Sequence, residues 1–504
     1  MSFSDKLEQF EHDIDSPDFE RHDRFNFEVK LDYEIDPSEE KKIIYMLEMY
    51  GFIPKSLHIN EYTYPQEKFY NDLNLFTRYK TPKFTLKALL NPKISISPIN
   101  RIISYLEHPT GMEAQMRIEI RLLGAIVRDN LLKHFNAYSR LMQIYNEFDE
   151  QHFLKDLSRI KELKDKLQEL SKTFSLSEYS IEIKHAFSYI TQFIFIQIEY
   201  RLSDFLQKFE SQLSPNIVAT SIELILETRK DRVSFHPLIK LNITEMGESF
   251  EYYKGLLKKY SQRILYLEQV RKWKENRWKQ LLYSFAAGLA MILSVILTYF
   301  IIIQFQEYSL PFIIGIAIIY MLKDRLKYLI QWVSERTMRI YIPDRTHKIY
   351  DSYEKTYIGI MRESMRFMEL TKIPKEILKI RDRERLEIEN QEILETVFKY
   401  KKIMQLDPNA IMKIHRRVRN VHDIIRFNIR NLIQYADDPY KKYPIVSIEN
   451  NEIKQVRQAK VYHFNLIFQI TKLNSKHENT TFYKKVRIIL TQNGIKRVEY
   501  PEIE

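Results

Sequence analysis

The sequence predicts a multidomain membrane protein. An N-terminal α+β domain, a long helical bundle or stalk, a two-helix transmembrane hairpin and a C-terminal α+β domain with an antiparallel sheet follow one another. Three observations carry this. Two apolar runs without charged residues lie between Leu281 and Leu322, joined by a polar link. Apolar residues recur at heptad spacing through parts of 111–280. Apolar and polar residues alternate strictly over Phe25–Ile35 and again near the end of the chain.

Residues 1–24 read as a polar tail. MSFSDKLEQFEHDIDSPDFERHDR has no apolar centre, which argues against a signal peptide and makes the hairpin the first element expected to engage a membrane.

The expected α+β domain spans 25–110. Phe25, Phe27, Val29, Leu31, Tyr33 and Ile35 share one face of a half-buried strand. Asp36-Pro37-Ser38-Glu39 then looks like a helix start, with Pro37 in the first turn. That helix is expected to reach Tyr50 and stop at Gly51. A helix near 65–78, a strand near 83–90 and a helix near 98–107 complete the region.

Residues 111–280 read as a helical bundle or stalk running into the membrane. Phe153, Ile160, Leu167 and Phe174 repeat every heptad, with Leu163 and Leu170 between them. The apolar run Phe187–Tyr200 is too short to span and carries Gln192 and Gln197, so a buried bundle helix is expected. Phe250, Leu257 and Ile264 form a further set, with Tyr253, Tyr260 and Leu267. No proline falls between Pro237 and Pro311, so the pattern allows one rod from Glu248 to Ile303. The alternative is an antiparallel bundle packed against itself.

The hairpin is expected at 281–322, with spans at 281–303 and 308–322. LLYSFAAGLAMILSVILTYFIII makes a helix about 35 Å long, against a hydrocarbon core of about 30 Å. The second run, LPFIIGIAIIYML, covers only about 20 Å. It spans if Tyr308 and Ser309 join it, if Lys323 snorkels or if the bilayer thins; a re-entrant segment is the alternative. Arg271, Lys272, Lys274, Arg277 and Lys279 precede the hairpin, and Lys323, Arg325 and Lys327 follow its apolar part. The link carries only Glu307 as a charge. This bias predicts a two-span inner-membrane protein with both termini cytoplasmic. Trp273, Trp278 and Trp332 fall where an interfacial aromatic belt belongs. Ser284, Ala287 and Gly288 are expected to face Gly315, because small residues let helices approach closely in lipid.

Residues 323–504 read as a cytoplasmic β-rich α+β domain. An amphipathic continuation of the second span covers 326–333. MRIYIPD and RTHKIYD flank Pro343-Asp344 like a short hairpin, and 357–370 is β-prone. Asp407 and Pro408 cap an expected helix over 408–436, with Ile411, Ile414, Val418, Val421, Ile425, Ile429 and Leu432 on its apolar face. Strands follow around Tyr462–Ile470 and Val486–Leu490, and Asn493-Gly494 is the turn between RIILTQ and IKRVEY.

Composition removes several chemistries. There is no cysteine, so no disulfide and no thiol nucleophile. Glycine occurs only 9 times, and neither G-x-x-x-x-G-K-[ST] nor G-x-G-x-x-G is present. H-E-x-x-H and G-x-S-x-G are absent as well. The net charge of +11 points to anionic partners or to simple solubility. On the expected 408–436 helix, Arg416, Arg419, Arg426 and Arg430, with Asp423 among them, form a stripe that suits phosphate groups or merely a solvated face. His415 and His422-Asp423 lack recognisable further ligands, so no metal site is expected, and neither catalytic residues nor a cofactor. The spans hold no ionisable residue, which argues against transport by a lone chain.

The expected function is a membrane-anchored cytoplasmic scaffold or sensor rather than an enzyme. One alternative is an effector that oligomerises through its hairpin and permeabilises the membrane. Another is a membrane-tethered enzyme that acts on phosphate-containing ligands through the arginine stripe. The expected partners are the bilayer, with anionic headgroups at the cytoplasmic flanks, and a second copy of the chain; nucleic acid is not among them.

Overall fold

The computed structural model describes residues 18–35, 42–108, 111–235, 247–271, 275–305, 309–341, 343–382, 395–415, 420–446, 453–473 and 479–501, with residues 7 and 417. Among these are 12 helices of at least one full turn and fourteen strands, all paired antiparallel. The strands are β1 Asp18–Arg21, β2 Asn26–Glu34, β3 Ile43–Pro54, β4 Leu73–Tyr79, β5 Leu267–Arg271, β6 Arg345–Asp351 and β7 Tyr357–Met368. They continue with β8 Glu395–Leu406, β9 Asn420–Asn428, β10 Tyr440–Val446, β11 Ile453–Ala459, β12 Tyr462–Leu473, β13 Thr480–Thr491 and β14 Gly494–Glu499.

An 8-stranded sheet has the order β14-β13-β12-β3-β8-β7-β6-β5, and a 4-stranded sheet the order β1-β2-β9-β4. Strands from the two halves of the chain therefore share both sheets: β3 lies between β12 and β8, and β9 lies between β2 and β4. The sheets face each other. Phe27, Val29, Leu31 and Tyr33 of β2 are buried, as are Val421, Ile425 and Phe427 of β9, and Phe398, Tyr400, Met404 and Leu406 of β8. All of them belong to one apolar core.

Strand β2 has the alternation its sequence predicts. Strand β3 replaces the helix expected up to Tyr50. It is a central strand between β12 and β8, and both of its faces are covered. A strand buried on two faces reads as a continuous apolar run, so its period of two is hidden. The residues carrying the helix-start signal, 36–39, lie outside the described residues. Gly51 is no helix stop. It pairs with Phe398 of β8, and a Cβ there would fall 2.3 Å from that ring.

The element expected at 65–78 divides into α1 Gln66–Asp72 and strand β4. The strand expected at 83–90 is instead the short helix α2 Leu86–Leu90, begun by Thr85, whose side chain accepts from Ala88 N. Helix α3 Pro98–Glu107 matches its expectation.

Helices α4 Glu113–Tyr145, α5 Glu150–Leu176, α6 Ile181–Phe209, α7 Pro215–Phe235 and α8 Glu248–Gln262 form the bundle. The heptad residues Phe153, Ile160, Leu163, Leu167, Leu170 and Phe174 are all buried on α5. Helix α6 is central: it packs against α4, α5, α7 and α8. The rod from Glu248 to Ile303 does not form. Helix α8 stops at Gln262, a short turn covers Arg263–Leu265, and the chain then enters β5 at the edge of the large sheet. Edge pairing with β6 satisfies backbone groups that would otherwise continue the helix.

Helix α9 Glu275–Gln304 follows, then α10 Leu310–Tyr341, which contains the amphipathic stretch 326–333. MRIY continues α10, so only RTHKIYD of the expected hairpin is a strand. Helix α11 Lys375–Asp382 covers the outer face of the large sheet beside Tyr50, Phe52 and Ile467. Helix α12 Pro408–Ile414 begins where expected, and Asp407 accepts from Ala410 N at 3.1 Å. It ends at Ile414 rather than reaching 436, and 420–428 is strand β9. Spacing of four fits both periods, so Val421, Ile425 and Ile429 suit a helix face and a strand face alike. The β13–β14 hairpin forms as expected, one residue out of register. Thr491 pairs with Gly494, so the turn is Gln492-Asn493, and only Gly494 takes a positive φ, at 117°.

Candidate functional site

An exposed apolar helix pair is built on the edge of the large sheet. Strands β5 and β6 are neighbours, with Arg271 opposite His347. Helices α9 and α10 are the insertion between them and pack on each other. Their lengths of 30 and 32 residues correspond to about 45 and 48 Å.

Gln280–Gln304 of α9 has a mean hydropathy of 2.5, and only 11% of its most apolar window is buried. It is the one helix among the described residues that is long and apolar enough to cross a membrane. Phe285, Ile292, Val295, Phe300 and Ile303 are all more than half exposed. The Thr298 hydroxyl donates to Ser294 O at 2.8 Å, so this polar group is satisfied inside the helix, as a lipid-facing segment requires. Helix α10 exposes Leu310, Ile313, Ile314 and Met321 in the same way. Beyond Leu322 it carries Lys323, Asp324, Arg325 and Lys327, and Lys323 lies 4.0 Å over the Tyr320 ring.

The expected small-residue contact does not form. Gly315 faces Ile301, whose side chain a Cβ would approach to 2.7 Å, whereas a Cβ on Gly288 would meet nothing within 4 Å. Ser284 is exposed and Ala287 half-buried; Ala286 and Ala290, one turn apart, are the small residues that α9 buries. Register in a hairpin is counted from its link, and α10 extends well past its apolar part. Trp332 is 57% exposed; Trp273 and the side chain of Trp278 lie outside the described residues.

A second constellation sits between the two sheets. Lys402 of β8 donates to both carboxylate oxygens of Asp423 of β9 at 2.7 Å, and neither side chain is exposed. Tyr33 donates to Asp423 at 2.8 Å. Next to this pair, Tyr400 donates to Glu363 at 2.6 Å, and His347 lies 3.3 Å from the other Glu363 oxygen. Burial alone would raise the Glu363 carboxyl, but the neighbouring His347 imidazole and the charge of Lys402 hold it below its ordinary range. Asp351 is pushed up by burial and pulled further down by His415, 3.1 Å away, and by the backbone of its own turn. Burial first, then Asp423, places the Tyr33 hydroxyl far above the usual phenol range. The network is a buried, compensated charge system.

The arginine stripe is not a continuous surface. Arg426 donates to Glu28 at 2.7 Å, and Arg430 lies 4.6 Å over the Phe25 ring. Arg416 and Arg419 lie outside the described residues. His415 and His422 hold Asp351 and Asp32 respectively, and no group of metal-ligating side chains occurs among the described residues. The Lys402–Asp423 pair escaped the sequence reading, yet Lys402 stands in phase with Phe398, Tyr400, Met404 and Leu406. A lysine on the apolar phase of a strand is the available signal.

No family model matches this chain, and no curated protein or solved structure matches it.

Proposed function

We propose that the chain is a membrane-anchored sensor or scaffold, with its sheets and helical bundle held on the cytoplasmic face of an inner membrane. The observation that carries this is an exposed apolar helix pair inserted between two paired strands. Strands β5 and β6 share one sheet edge, so if α9 crosses the bilayer the chain has to cross back to reach β6. That supports α10 as a second span despite its short apolar part, with Lys323 snorkelling and Trp332 near the interface. Both termini then lie on the side of the body, and the basic flanks favour the cytoplasmic side, against anionic headgroups.

The reading is tested by washing membranes with alkaline carbonate. The full chain is expected in the pellet. A variant joining Arg271 to Arg345 through a short turn, without α9 and α10, is expected in the supernatant. Release of the full chain would remove the reading.

A further inference from the structure

We propose that Arg78, Arg128, Arg201 and Lys258 bind a phosphate-bearing anion with more than one negative charge, where the helical bundle meets the root of the hairpin. The four residues come from β4, α4, α6 and α8, so no single stretch of sequence reveals them. Helices α4, α6 and α8 pack on one another, and the backbone of Arg78 bridges to Tyr266, the residue before β5. Arg121 of α4 lies 4.3 Å over the ring of Tyr260 on α8, which adds a fifth cation on the same helices.

Four buried cations elsewhere are each paired with a carboxylate. Lys402 has Asp423, Arg232 has Glu199, Lys164 has Asp231 and Arg381 has Glu395. Among the described residues, none of Arg78, Arg121, Arg128, Arg201 and Lys258 forms an ion pair with a carboxylate. Acids close in sequence form ion pairs with other cations: Asp129 with Lys133 at 3.3 Å, Glu199 with Arg232 at 2.7 Å and Glu251 with Lys254 at 3.0 Å. The Nε atoms of Arg78, Arg121 and Arg201 are buried without a hydrogen-bond partner. Arg128 is held below its ordinary value by burial and then by Arg78, with Asp129 offsetting part of this and Arg201 adding to it. Lys258 is held down by burial and then by Arg128, with Lys254, Arg78 and Arg201 adding to it.

Like charges gathered without a carboxylate partner, with the three arginines half-buried and Lys258 exposed, oppose folding, and a bound anion removes that opposition. Three guanidinium groups and an ammonium on mutually packed elements suit the multiply charged oxygens of phosphate better than a single carboxylate. The site adjoins Tyr266, which leads through β5 into α9. An anion that draws α8 toward β4 therefore fixes the strand on which the hairpin is rooted. This coupling rests on the sensor reading above; binding itself does not.

The test uses the full chain in uncharged detergent micelles and reads its melting temperature against pyrophosphate. In parallel, cardiolipin, whose headgroup carries two phosphates, is compared with phosphatidylcholine in mixed micelles. Pyrophosphate is expected to raise the melting temperature of the natural chain, with affinity falling roughly 10- to 100-fold in Arg128→Gln and in Lys258→Gln. Without an anion, Arg128→Gln is expected to melt no lower than the natural chain, because it removes repulsion rather than a bond. Stabilisation by cardiolipin alone, lost in the same variants, assigns the site to lipid headgroups. No stabilisation by either probe, or equal stabilisation of the variants, overturns the proposal. Lys258→Gln, on the outer side of α8, keeps the test valid if Arg128→Gln does not fold. Micelles make the result independent of whether α9 crosses a bilayer.

Discussion

Helices α6 and α9 each carry a long apolar run, and the two runs have opposite surroundings. Phe193, Ile194, Phe195 and Ile198 of α6 have no exposed surface, because four other helices cover them. Ile292, Val295 and Ile296 of α9 are 60, 57 and 47% exposed, and the helix packs chiefly on α10. Burying one such side chain contributes about 1.5–3 kcal/mol. In α6 the protein supplies that burial; in α9 the protein does not, and the membrane reading proposed above assigns it to lipid. The polar residues agree. Gln192 sits within α6 and accepts from Tyr253 at 2.7 Å, whereas α9 holds no amide between Gln280 and Gln304. Apolarity alone does not separate a bundle helix from a span. Its interruption by partnered polar groups does.

The largest expected difference comes from one substitution made in both helices. Ile194→Arg buries an unpaired charge in the bundle and is expected to abolish its cooperative melting, a loss above about 4 kcal/mol. Ile292→Arg is expected to leave the melting of the bundle unchanged and to lower the membrane-integrated fraction, with an insertion cost of about 2.5–3.5 kcal/mol. Thermal unfolding and membrane fractionation read the two effects separately, and equal behaviour of the two variants would break the comparison.

Charge burial between the sheets sharpens the same contrast. Lys402→Met strands Asp423 where no solvent reaches it, and is expected to cost about 3–5 kcal/mol by denaturant unfolding. Replacing Asp423 by leucine in that background is expected to recover part of the loss, since an apolar pair of similar volume tolerates the site.

The smallest effect is acid dependence. Glu363 is held below its unfolded value of 4.5, so its stabilising contribution is complete above that pH and disappears as pH falls through the folded value. Glu363→Gln is therefore expected to destabilise the chain at neutral pH and to converge with the natural chain in acid. A constant gap across the titration would show that His347 and Lys402 do not hold the carboxylate.

These regions also show what sequence conveys. Strand β2 and helix α9 are legible because one has a half-buried period of two and the other an unbroken apolar run. Strand β3 is not, because tertiary cover on both faces erases its alternation. Asp407-Pro408 marks a helix start correctly but says nothing of length, and Ile414 ends that helix where a sheet position for 420–428 wins. The pairing of Gly288 with Gly315 fails because depth counts from the link, and Gly315 meets Ile301. Lys402–Asp423 and the cations around Arg128 join distant elements, so only the fold brings them together.

The central claim is that α9 crosses a bilayer and α10 returns. The chain has no cysteine, so a single introduced thiol reports one position without background. Phe305→Cys lies at the hairpin turn, and Lys372→Cys on the body, where the lysine side chain is 67% exposed. With a membrane-impermeant maleimide on spheroplasts, Phe305→Cys is predicted to label in intact cells and Lys372→Cys only after lysis. Labelling of both before lysis, or protection of both until lysis, would contradict the crossing.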